Sequence, residues 1–234
     1  MKTFKFIGVG ALALCLLFSG CKSMSNTGKG ALIGGGGGAA AGALLGGLIG
    51  GGKGAGIGAA IGAGVGAGAG TLIGKKMDKQ KQELEQELAD KAEVETVTDQ
   101  NGLQAIKVTF SGGILFPTNG TTLSKGAKTD LTQFAASLLA NPETDVQIFG
   151  YTDNTGSYQV NERVANGRAD AVRTYLINSG VASARLSAQG VPMADYVASN
   201  DTPEGRAQNR RVEIYITANK TMIQQAENGT LSMN

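Results

Sequence analysis

The chain has no histidine at all and only two cysteines, Cys15 and Cys21. The first absence removes the side chain most often used for general acid–base work and for holding metals. The second leaves little thiol chemistry, because Cys15 falls inside an apolar leader; a chain cleaved after that leader has no internal disulfide and no spare thiol nucleophile. No group of side chains shows metal-ligand spacing. Charge is also scarce in excess: 21 Lys and Arg against 19 Asp and Glu give a formal net charge of +2. That balance is too mild to point to a nucleic acid or a strongly acidic partner, and no basic stripe with interleaved aromatics occurs. Neither catalysis, a cofactor, a bound metal nor nucleic-acid binding is expected.

Glycine is what the chain has in abundance, with 37 residues concentrated before position 75. Ahead of them, "MKTFK" gives a short positive start, and Phe6 to Phe18 is almost wholly apolar but too short to span a bilayer. Residues 1–20 therefore read as an export signal. "LFSGC" then sets Ser19 and Gly20 before Cys21, which resembles the bacterial lipoprotein signal, whose cleavage leaves a lipid-modified cysteine at the new N-terminus. Phe18 stands where that family favours leucine, and the alternative is an ordinary thiol after a secretory signal. By the same resemblance, Lys22 after the cysteine favours the outer membrane. Residues 21–29 form the lipidated tether.

Between positions 30 and 74 glycine recurs at every fourth residue, from Gly30 through Gly42, Gly46, Gly62 and Gly66 to Gly74. Four residues is about one helical turn, so such glycines make a groove along which another helix can approach closely. In water each interior glycine costs a helix about 0.5–1 kcal/mol relative to alanine, which points to lipid or a tightly packed partner as the setting. Uncharged runs at 30–52 and 54–74 flank Lys53 in "GGGKG". Each is near the roughly 20 residues that cross a bilayer core. The segment 30–74 is therefore predicted to be a glycine-zipper helical hairpin able to form homo-oligomers, with a low-complexity spacer as the alternative. Residues 75–92, rich in charged helix formers, are expected to be a solvated helical linker.

The chemistry changes near residue 93. Alternating residues on either side of Asn101-Gly102 predict a hairpin, and "GILF" is expected to continue extended to Pro117. Ser124 is a candidate N-cap for a helix to Ala140 with Ala127, Leu131, Phe134 and Leu138 buried. "DVQIFGY" reads as a strand, Ser157 to Ser179 as a second helix stopped by Gly180, and "RRVEIYITA" as a final strand. The order predicts an α/β sandwich, a mixed β-sheet with helices packed on one face, over 93–218. Residues 219–234 are expected to be a polar tail.

The stretches "GYTDNTGS", "NERVANGRA" and "ASNDTPEGRAQNRRVEI" resemble the OmpA-like C-terminal domain, the peptidoglycan-binding module of envelope proteins, over residues 103–217. The resemblance implies a protein that tethers the outer membrane to the cell wall without a covalent bond, in which Asp153 and Arg168 hold the diaminopimelate of the peptide stem. The residues agree with that role: Asn161 and Arg168 are two turns apart on one helix, and Asp153 lies in the loop feeding it. Asp153 can accept from the ammonium of a diamino acid, Arg168 can grip its carboxylate in a two-pronged pair, and Thr155 and Gly156 can add backbone hydrogen bonds. Arg210 and Asn209 match family positions near the pocket. The alternative is a plain Asp153–Arg168 salt bridge. Departures from the family include Tyr151 in place of histidine, Val164-Ala165 in place of Leu-Ser, and an unusual "GVPMADYVASN" loop. A glycan hydrolase using Asp153 and Glu162 is disfavoured, since a guanidinium beside Asp153 would keep it ionised instead of making it a proton donor. A second non-enzyme reading makes the glycine segment primary, as a membrane-associated assembly protein.

Overall fold

The computed structural model describes residues 65–99, 101–117 and 120–233. The expected leader, Cys21 and the glycine hairpin up to residue 64 lie outside the described residues. The chain from residue 65 forms helix α1 (Ala67–Glu87), strands β1 (Glu93–Thr98) and β2 (Gln104–Ser111), and the single-turn helix α2 (Gly112–Leu115). Helix α3 (Lys125–Ala140), strand β3 (Thr144–Tyr151), helix α4 (Tyr158–Asn178) and strand β4 (Leu186–Val191) follow. Helix α5 (Pro203–Asn209), strand β5 (Arg211–Ala218) and helix α6 (Lys220–Glu227) complete it.

The strands form one five-stranded sheet in the order β1-β2-β5-β3-β4. All neighbours are antiparallel except β3 and β4, whose parallel pairing requires the crossover that α4 supplies. The register lines up one apolar face across the sheet: Ile106 and Val146 both flank Ile216, and Val108 and Ile148 both flank Ile214. Those side chains form a single core with Leu131, Phe134 and Leu138 of α3 and Val172 and Leu176 of α4. The mixed sheet with helices on one face agrees with the sequence expectation.

Local signals act as anticipated at the helix starts. Ser124 Oγ accepts from the Ala127 amide at 3.0 Å, and Ser157 Oγ from the Val160 amide at 3.4 Å. Gly180, at φ 99°, takes the left-handed geometry that ends α4. The β1–β2 turn is tied by Asp99, whose Oδ1 accepts from the amides of Asn101 and Leu103 at 2.7 and 2.9 Å. Between the paired strands β3 and β4 and helix α4 the approach is close enough to demand glycine. A Cβ on Gly150 would lie 2.3 Å from the Ala165 carbonyl oxygen, and one on Gly190 would lie 2.5 Å from the Asn166 amide nitrogen.

Three expectations are corrected. "GILF" is not extended throughout: Gly112–Leu115 make one helical turn, because the Gly112 amide donates to the Arg210 carbonyl at 2.7 Å and packs where a Cβ would have only 2.3 Å. The 75–92 helix is not a solvated spacer. Ile73, Met77 and Leu84 of α1, together with Leu88, are fully buried in the core cluster. Its apolar stripe begins inside the glycine segment, so a boundary at 75 cuts the stripe and hides it. Nor are residues 219–234 simply a polar tail: Asn219 caps α6, and Met222, Ala226 and Leu231 are buried in the same core.

Because α1 is core, a fragment of residues 93–218 is expected to be much less stable than one of residues 65–234. Leu84→Ala in the longer fragment should cost about 2–5 kcal/mol. Urea unfolding followed by circular dichroism measures both; equal midpoints for the two fragments would show that the helix packs without stabilising.

Candidate functional site

Strand β3 runs out at Tyr151, and the chain turns into the loop that starts α4. Asp153 in that loop is buried and doubly held: its Oδ2 pairs with Arg210 Nη1 at 2.6 Å, and its Oδ1 accepts from the Thr155 amide at 2.8 Å. Burial alone would push its carboxyl up, but the hydrogen bonds from Arg210 and Thr155, with the charge of Arg210, more than offset this and hold it below its ordinary range. Asp153 is thus a carboxylate built to stay ionised.

Arg168 projects from α4 into the same cavity and is only 3% exposed. Its Nε donates to the Gly120 carbonyl at 3.1 Å, and its guanidinium carbon lies 5.4 Å from the centre of the Phe116 ring. Burial and then the like charge of Arg210 push its proton affinity down, while Asp153 opposes them. Among the described residues its two Nη nitrogens make no hydrogen bond, and it forms no salt bridge with Asp153. The plain Asp153–Arg168 bridge is therefore replaced by an Asp153–Arg210 bridge, with Arg168 held nearby and its outer nitrogens unspent.

A cavity of about 720 Å³ is lined by Asp153, Thr155, Gly156, Asn161, Arg168 and Arg210, six of the seven residues anticipated for binding. Asn161 also has a structural job, donating from Nδ2 to the carbonyls of Thr155 at 2.8 Å and Ser157 at 3.1 Å and so shaping the loop. Gly156, at φ 92°, supplies the left-handed residue that this loop needs. Asn209 does not line the cavity. It is fully buried, accepts from the amides of Val197 and Ala198, and donates to the Ala198 carbonyl and to Asn200 Oδ1. It clamps the 196–200 loop.

Sequence reasoning passed over two cations on the cavity wall, Arg163 and Arg206. Both stand inside quoted motifs, Arg163 in "NERVANGRA" and Arg206 in "PEGRAQN". Arg163 lies one turn before Gly167 and five residues before Arg168, and only the folded backbone shows that both reach one cavity. Arg211, the first residue of β5, lies on the reverse face of the sheet with Glu213 and Tyr215. Its guanidinium lies 3.8 Å from the Tyr151 ring centre, its Nε pairs with Glu213 at 2.7 Å, and its Nη2 donates to the Asp195 carbonyl at 2.9 Å. Tyr151, in the position where the family often has histidine, thus stacks on the reverse face of the sheet. No group of three or more acidic or cysteine side chains among the described residues could hold a metal ion.

The mixed sheet with its crossover helix has an OmpA-like fold. Residues 115–210 match the OmpA family model, and residues 1–78 match the YMGG-like Gly-zipper model. The chain is 40% identical over 112 residues to the probable lipoprotein YiaD of Escherichia coli, covering 48% of this chain and 51% of that protein. It is 42% identical over 112 residues to the peptidoglycan-binding protein ArfA of Mycobacterium tuberculosis, covering 48% of this chain and 34% of that protein. The chain thus spans about half the length of the first of these relatives and about a third of the second. Among solved structures, the cell wall anchor of the T6SS from Pseudomonas aeruginosa aligns with a TM-score of 0.51 at 27% identity, over 59% of this chain and 99% of that one. A MotB-like protein from Desulfovibrio vulgaris shares the fold, with a TM-score of 0.52 at 24% identity, over 63% of this chain and 96% of that one.

The depressed folded-state pKa of Asp153 fixes the sign of a pH effect. Its contribution to stability is present above the unfolded carboxyl value of about 3.9 and is lost as pH falls through the lower folded value. Wild type should exceed Asp153→Asn in stability at neutral pH, and the gap should close progressively below about pH 4. Urea midpoints at a series of pH values measure this; a gap of constant size would show that the charge of Asp153 contributes nothing.

Proposed function

We propose that this chain is a non-covalent peptidoglycan-binding protein of the bacterial cell envelope that tethers the outer membrane to the cell wall. The observation that carries the reading is the pairing, in one cavity, of an ionised Asp153 with a buried Arg168 whose two outer nitrogens make no hydrogen bond among the described residues. A peptide stem with a diamino acid such as diaminopimelate presents an ammonium and a carboxylate close together. Asp153 accepts hydrogen bonds from Arg210 and Thr155, and a carboxylate, with about four lone-pair sites, can still accept from the ammonium. The planar fork of Arg168 suits the carboxylate. Likeness to a peptidoglycan-binding protein and to a cell wall anchor supports the same reading. A cavity whose acid is held ionised by guanidinium groups suits gripping better than proton donation, so the role is binding and not turnover.

In this reading Cys21 carries the lipid that holds the outer membrane, and the domain faces the periplasm. Since α1 is folded into the domain, residues 75–92 are not a free spacer between lipid and wall-binding domain. Several such grips acting in parallel gain through effective concentration. The full chain should sediment with purified sacculi, and Arg168→Ala and Asp153→Ala should each weaken this at least about tenfold with the circular dichroism spectrum unchanged. Undiminished sedimentation of both folded variants would overturn the assignment of the cavity.

A second reading is favoured by the glycine-zipper match at residues 1–78. In it the glycine stripe drives assembly in or on the membrane, and wall binding is anchorage. Replacing Gly42, Gly46, Gly62 and Gly66 by leucine should then abolish oligomers seen on cross-linking; oligomers that persist would remove this reading and leave the tether.

A further inference from the structure

The cavity holds more positive charge than the diamino end of a stem can use. Its charged lining residues are Arg163, Arg168, Arg206, Arg210 and Asp153, four cations against one anion. Arg210 is spent on Asp153 at 2.6 Å. Among the described residues, Arg163, Arg168 and Arg206 form no salt bridge, so three guanidinium charges face the cavity without an anion. An ammonium and a carboxylate together bring a net charge of zero and leave that excess untouched.

Arg206 is placed, not loose. Its Nη1 donates to the Asn200 carbonyl at 2.7 Å, while the Asn200 side chain accepts from Asn209 Nδ2 at 3.0 Å and from the Asn154 amide at 3.4 Å. Buried Asn209 thus anchors the loop that aims Arg206, and that loop is tied in turn to the Asp153 loop through Asn154. Arg163, one helical turn and a residue before Arg168 on α4, is exposed at the rim of the same cavity.

Resting on the peptidoglycan reading above, we propose that the site selects peptide stems with at least two free carboxylates, Arg168 holding that of the diamino acid and Arg206, with Arg163 at the rim, holding a second one on a neighbouring stem residue. Stems in which the second carboxylate is converted to a carboxamide are discriminated against, because a carboxamide brings no charge to the excess cations and turns one acceptor into a donor facing guanidinium donors. Asn209 is a positioning residue in this scheme, acting through the 196–200 loop.

The test titrates two synthetic stem peptides into the full chain by calorimetry: one with the glutamyl α-carboxylate free, one with it amidated, both ending in a free diamino acid. Wild type should bind the free-acid peptide at least about tenfold more tightly. Arg206→Gln should bind both peptides alike, near the wild-type affinity for the amidated one, and Arg206→Lys should keep part of the preference. Arg163→Gln serves as a second variant if Arg206→Gln is unfolded by circular dichroism, and should reduce the preference. Equal wild-type affinity for the two peptides, or a full preference retained by the folded variants, would overturn the proposal while leaving peptidoglycan binding intact. Binding of neither peptide would overturn both together.

Discussion

The site depends on how closely α4 lies against the sheet. With a Cβ position at Gly150 only 2.3 Å from the Ala165 carbonyl, and one at Gly190 only 2.5 Å from the Asn166 amide, backbone meets backbone with no side chain between them. Asp153 follows Gly150 by three residues, and Arg168 follows Ala165 by three, so the Gly150–Ala165 contact sets how the carboxylate and the guanidinium are placed. Their spacing is imposed by the fold and not by mutual attraction, which agrees with the lack of a direct bridge between them. Any side chain at position 150 would have to push the helix away, and the cavity would open with it.

Electrostatics separates the residues that hold the domain together from those left for something else. On the reverse face, Arg211 is complete: it pairs with Glu213, stacks on Tyr151 and donates to the Asp195 carbonyl, while the Tyr215 hydroxyl donates to the same Glu213 at 2.8 Å. Arg168, just as deeply buried, has among the described residues one hydrogen bond and the face of Phe116, with Arg210 as a like-charged neighbour. Burying a cation so incompletely is costly unless a partner arrives. The charge of Arg211 is answered by a carboxylate within the domain, whereas that of Arg168 is answered by none among the described residues.

The sequence was most legible where a local rule acts alone. Ser124 and Ser157 cap their helices, Gly180 ends α4, and Asn101-Gly102 turn the first hairpin, because each needs only its neighbours. Period-2 alternation in β5 likewise separates Val212, Ile214 and Ile216 from Arg211, Glu213 and Tyr215. Motif resemblance carried the reading from there to Asp153 and Arg168. It could not show that Arg210, not Arg168, is the partner of Asp153, nor that Asn209 serves a loop 9–13 residues before it, because these are long-range pairings between β5, the β3 end and an irregular loop. The burial of α1 was hidden for another reason. Its stripe is spaced at Ile73, Met77, Gln80, Leu84 and Leu88, with an amide in the middle and a compositional boundary cutting off its start, so neither half reads as amphipathic.

That buried helix changes what kind of object the C-terminal half is. Val65, Ala69 and Ile73 carry the end of the glycine-rich segment into the core, and α6 with Leu231 closes over the same helix from the other end of the chain. Helix α1 packs on β2, β2 pairs with β5 from Ile106–Ile216 to Ser111–Arg211, and Arg210 leads directly into β5. The route from the glycine segment to the cation that holds Asp153 is therefore one helix and two paired strands, without a flexible joint among the described residues. A load applied upstream of residue 65 meets the core before it meets the cavity. A surface helix would have unravelled first under such a load; α1 can leave only by exposing Ile73, Met77, Leu84 and Leu88 to water, which couples its detachment to the stability of the whole domain.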